Sequence, residues 1–61
     1  MTLTIKIKME NSAFEEDSRE PERIIRELAN RGHFHDLTPG DGNWIHDING
    51  NTVGEWKVTG R

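Results

Sequence analysis

The run TLTIKIKM, Thr2 to Met9, alternates without a break: Leu3, Ile5, Ile7 and Met9 fall on one side of an extended chain, Thr2, Thr4, Lys6 and Lys8 on the other. Such a segment persists only as a half-buried strand, so the rest of the chain has to supply neighbouring strands and a cover for one face. The apolar series belongs on a core. The Thr and Lys series suits a solvated face, or the lysine-guarded edge that discourages pairing with other sheets.

One segment can provide that cover. EPERIIRELANRG places Ile24, Ile25, Leu28 and Ala29 in a single helical stripe, sets Glu22 four residues before Arg26 and Glu27 four before Arg31, and ends on Gly32, a natural helix stop. About three turns of helix do not hold in water alone, so the stripe must be buried, with the Leu3, Ile5 and Ile7 face as its surface. The preceding ENSAFEEDSREPE reads as a loop leading into the helix, whose start lies up to three or four residues early. Glu15, Glu16, Asp17, Glu20 and Glu22 gather where carboxylates meet the exposed N–H groups of a helix start; Asp17 or Ser18 can cap, and Pro21 sits early enough to be tolerated.

HFHDLTPGDGN is a loop by its Pro39-Gly40 and Asp41-Gly42 pairs, with Phe34 and Leu37 as plugs under the sheet. WIHDI and TVGEWKV flank Asn49-Gly50 as the arms of a hairpin. The expected fold is α+β: one domain over residues 1–61, ordered β-α-β-β, with a three-stranded, mostly antiparallel sheet and one helix packed on one face. A right-handed crossover through the helix lets the first strand pair antiparallel with the third, giving strand order 2-3-1, with 1-2-3 as the alternative.

Two turns compete for the hairpin. A two-residue loop on Asn49-Gly50 puts Ile45 on one face with Gly54, Trp56 and Val58, and sends Trp44 to the other. A type I turn starting at Asp47, with Gly50 left-handed, instead puts Trp44, His46, Gly54, Trp56 and Val58 on one face, and Ile45 and Val53 opposite. Asp first and Gly fourth are the residues that the second turn prefers, and the Asp47 carboxylate can accept the loop's own N–H groups, so that reading is favoured. Either way one sheet face lacks a helix and is partly apolar; if it carries an aromatic residue, that face is a contact surface.

A 61-residue chain without cysteine has no disulfide staple, which makes a homodimer a natural expectation, fits a cytoplasmic setting and removes thiolate chemistry. No apolar run approaches the roughly 20 residues a membrane helix needs, and no secretory pattern opens the chain. With 11 acidic and 8 basic side chains the net charge is −3, which disfavours generic phosphate binding.

HDINGNTVGEW is dense in ligand-type groups, but its Gly50 and Glu55 stand at the wrong spacing from Asp47 for a calcium-binding EF-hand loop. His33, His35, Asp36 and His46 are the transition-metal alternative, weighed against ordinary loop histidines near a helix end. His46 with Asp47 or Glu55 could move protons, yet so small a chain offers little concavity for a substrate, so neither an enzyme nor a bound cofactor is expected. Lys6, Lys8 and Lys57 with a tryptophan, or the helix residues Arg19, Arg23, Arg26 and Arg31, could meet nucleic acid, though carboxylates dilute both sets.

Taken together, TIKIKMENSAFE, IIRELANR and DINGNTVGEWKV resemble a family of short proteins encoded by phages, prophages and plasmids of Proteobacteria that end in a D-x-N-G-N-x-V-G hairpin. The resemblance implies a mobile-element setting, in which small acidic proteins act by binding a host or phage protein, counter-defence such as anti-CRISPR or anti-restriction action included. It carries no catalytic residues. The expectation is a non-enzymatic protein-binding module with Trp44, Trp56 and Phe34 as anchors where exposed, and Glu15, Glu16, Asp17 and Glu20 as a second, acidic surface. A weak nucleic-acid binder using Lys6, Lys8 and Arg26 is the rival, and a histidine-based metal-binding protein a further alternative.

Overall fold

A computed structural model describes residues 1–31 and 34–60. Strand β1 (Thr2–Ile7) is followed by two helices, α1 (Ser12–Glu16) and α2 (Glu20–Arg31), and then by β2 (Gly42–His46) and β3 (Thr52–Thr59). The sheet order is β1-β3-β2, all antiparallel, with the central β3 bonded to both other strands. The α+β class, the preferred strand order and the pairing of first strand to third are therefore as read from the sequence. Gly32 and His33, read as the helix stop and a candidate ligand, lie outside the described residues.

Helix α1 corrects the reading of its segment as loop. Five residues cannot hold a helix alone, and its side chains show what does: Ala13 is buried, Phe14 packs against the core, and Asn11, at the helix start, gives its amide to Asp47 rather than capping. At the entry to α2 the Asp17 carboxylate accepts the Arg19 N–H at 2.9 Å, as expected for a residue that ends one segment and starts the next.

The core is small. Ile24 of α2, Ile45 of β2 and Val53 of β3 form its buried centre, with Ile7, Phe14, Leu28 and Trp56 partly buried around them. Ile25, expected in the buried stripe, is exposed. The helix covers the β2 and β3 side of the sheet and leaves much of β1 bare: Leu3 and Ile5 remain 43% and 42% exposed, although both lie on the core face. Met9 lies beyond β1 and is exposed.

Gly54 allows β1 to come this close, because a Cβ there would run into the backbone carbonyl of Lys6. Its place in the chain marks an irregularity. Ile45 pairs with Gly54, but His46 pairs with Thr52, so Val53 is an extra residue, a β-bulge.

Candidate functional site

The hairpin turn is the type I form starting at Asp47. The Gly50 N–H donates to the Asp47 carbonyl at 3.0 Å, the Asp47 N–H donates to the Asn51 carbonyl at 2.9 Å, and Gly50 has φ +85°. Yet the two tryptophans lie on opposite faces, contrary to the expectation that came with that turn. The bulge at Val53 is the reason. One added residue reverses the alternation, so Val53 and Trp56 both reach the core cluster with Ile45, and Trp44 points away from it.

Asp47, buried, accepts four hydrogen bonds. Its Oδ1 takes the N–H groups of Asn49 and Asn51, each at 2.9 Å, and its Oδ2 takes the side-chain amides of Asn11 at 3.1 Å and Asn51 at 3.4 Å. Burial pushes this carboxyl up, but the hydrogen bonds from Asn11, Asn51 and Asn49 outweigh it and hold it below its ordinary value. An oxygen set already engaged in this way has little left for calcium, so the cluster in HDINGN serves its own backbone. Among the described residues no group of three His, Asp or Glu side chains could hold a metal ion; His33, part of the proposed histidine set, is not among them.

Glu20 is the residue whose role the sequence conceals. Expected as a displayed carboxylate, it is only 1% exposed. Its oxygens bind Arg23 at 2.6 and 2.9 Å and accept the Ile48 N–H at 2.8 Å, so the first turn of α2 is fastened to the tip of the hairpin. The Arg23 guanidinium lowers its pKa, burial opposes that, and the Ile48 N–H adds to the lowering. Glu20 thus belongs to a structural clamp, whereas Glu15, Glu16 and Asp17 are exposed.

Of the three candidate anchors, Trp44 alone is exposed, at 63%. Trp56 is half-buried, and Phe34 meets it edge to face with ring centroids 4.8 Å apart, which makes Phe34 a plug, as Leu37 is by its partial burial. A cleft of about 310 Å³ runs between α2 and β2, with Leu28, Arg31, Trp44, His46 and Trp56 among its walls.

The face of the sheet away from α2 carries Thr2, Thr4 and Lys6 of β1, Glu55 and Lys57 of β3, and Trp44 and His46 of β2. Lys6, Lys8, Trp44 and Glu55 line one shallow depression of about 270 Å³ on it. Arg26 is not part of this surface. It lies on α2, paired with Glu22 at 3.2 Å, while Arg23 and Arg31 pair with Glu27 at 2.6 and 3.3 Å.

No helix of the described residues is long and apolar enough to cross a membrane. Compared with protein-family models, curated proteins and solved structures, the chain matches none.

Proposed function

We propose that the protein is a non-enzymatic binding module that receives a protein partner on the open face of its sheet. The observation that carries this reading is the 63% exposure of Trp44, held at a fixed position by strand pairing and bordered by Lys6 and Lys8. A large aromatic surface left in water by a chain with so little apolar area to spare is what interface anchors look like before they dock. The lysines add a preference. In a chain of net charge −3, Lys6 and Lys8 line one depression with Trp44 and Lys57 lines another, three lysines against the carboxylates of Glu55 and Asp41, so the face favours a partner presenting acidic side chains. The exposed Glu15, Glu16 and Asp17 form a second surface of opposite sign. A module of this kind, working in the cytoplasm on a host or phage protein, fits the mobile-element setting that the sequence resemblance implies, counter-defence included.

A second reading draws on the same face: lysines beside an exposed indole can stack and neutralise single-stranded nucleic acid. Two measurements separate them. Capture of a protein by the wild type that is lost in a folded Trp44→Ala variant supports the first reading, and equal capture by both overturns it. Tryptophan quenching by single-stranded oligonucleotides at about 50 mM salt, lost at about 200 mM, would replace the protein reading with the nucleic-acid one.

A further inference from the structure

We infer that two copies of this chain join through the free edge of β1 into a six-stranded antiparallel sheet. The edge is open, and the hydrogen-bond parity shows which groups it offers. Lys8 donates its N–H to the Val53 carbonyl at 2.8 Å, so Lys8, Lys6, Thr4 and Thr2 bond inward to β3, and the N–H and C=O groups of Leu3, Ile5 and Ile7 point outward. These are also the apolar residues that α2 leaves half covered, Leu3 at 43% and Ile5 at 42% exposed.

The strand is complementary to itself. A two-fold axis at Ile5 opposes Ile5 to Ile5 and Leu3 of one copy to Ile7 of the other, engaging every outward group. On the solvent face the same register sets Thr4 against Lys6 and Thr2 against Lys8. Shifting the axis to Lys6 would oppose lysine to lysine, and parallel pairing would align the two rows of lysines. The lysines therefore rule out those two pairings, and centring the apolar row of Leu3, Ile5 and Ile7 on its own middle sets the axis at Ile5.

The surface area agrees. A folded monomer of 7.0 kDa exposes about 4,000 Å², whereas this chain exposes 4722 Å². The excess, roughly 700 Å², is of the order of the ~800 Å² that each partner buries in an interface of ordinary size, and it is shared between the β1 edge and the exposed Ile25, Trp44 and Ile48 elsewhere. Trp44 lies on the strand at the far side of β3, so the pairing does not depend on the function proposed above and leaves that face free.

Sedimentation of the wild-type chain across concentrations tests the pairing without a variant: two chains per particle are expected, and a monomer up to about 1 mM overturns it. The register is tested by Ile5→Cys, the only thiol in a chain without cysteine. In an antiparallel bonded pair the two Cα atoms lie about 5.5 Å apart, within disulfide reach. Oxidation should cross-link Ile5→Cys about tenfold or more faster than an Ile25→Cys control on the exposed side of α2, because pairing raises the local thiol concentration. Equal rates would overturn the register.

Discussion

The two edge strands of this sheet are treated in opposite ways. On β2, Ile45 lies beneath α2 at 2% exposure, the Trp44 N–H is already taken by the Asn43 side chain at 2.8 Å, and the turn that follows is fastened to both helices through Asp47 and Glu20. On β1, Leu3 and Ile5 stand half in water. The contrast follows from where the single long helix sits: α2 lies over the hairpin, where its first turn is tied to Ile48 through Glu20, and leaves the β1 side of the core face less covered. The ties to the helices are concentrated at the hairpin end, whereas on β1 it is the core-face residues Leu3 and Ile5 that stay half in water.

The largest expected effect tests that concentration directly. Ile45→Ala empties the centre of a three-residue core and should cost about 2–5 kcal/mol, enough to unfold much of a domain whose core supplies no more than about 3–5 kcal/mol. Leu3→Ala, at a half-exposed site, should cost ~1 kcal/mol. Urea titration followed by far-UV circular dichroism, at dilute protein, measures both. Equal losses would break the comparison. A Leu3→Ala cost that grows with protein concentration would sharpen it, since Leu3 is then covered by a second copy.

The same contrast explains how much the sequence discloses. β1, α2 and the hairpin announce themselves through period, stripe and turn residues, and the strand order follows from handedness. The turn at Asp47 is legible too, because its signal is local. Which face each tryptophan takes is not, because that depends on a single bulged residue, Val53; the neighbouring Gly54 in mid-strand is the hint. Glu20 looks like any carboxylate at a helix start, and its bond to Ile48 joins residues 28 apart in the chain, beyond any local pattern. Helix α1 depends on a similar tie, from Asn11 to Asp47, 36 residues apart.

A middle-sized effect should come from acid. Glu20 and Asp47 both titrate below their ordinary values of 4.5 and 3.8, so in the folded chain they resist protons that the unfolded chain accepts. The stability they contribute is fully present above those ordinary values and is lost as pH falls through the lower folded ones. Melting temperature should therefore be flat near neutrality and drop below about pH 4.5. Asp47→Asn should lower it at neutral pH as well, because the new amide meets the donors of Asn11, Asn51 or Asn49 where an oxygen accepted them. Its remaining acid sensitivity should also be smaller. An unchanged melt between pH 7 and pH 3 would mean that the hairpin clamp adds no net stability, and the two edges would then differ in packing alone.

Trp44→Ala should have the smallest effect on folding. The indole is mostly in water, its backbone N–H is held by Asn43 whatever the side chain, and the opposite face of β2 keeps Ile45 in the core. Removing it should change stability by no more than about 0.5 kcal/mol, whereas Trp56→Ala, which strips Phe34 of its edge-to-face partner and opens the core cluster, should cost several times more. Acrylamide quenching of the two single-tryptophan chains, Trp44→Phe and Trp56→Phe, gives the matching optical result: the chain that retains Trp44 is quenched more steeply. If Trp44→Ala instead destabilised the fold as much as Trp56→Ala, the open face would be contributing to the core's stability. Trp44 would then be a structural residue, and β2 would be closed on both faces.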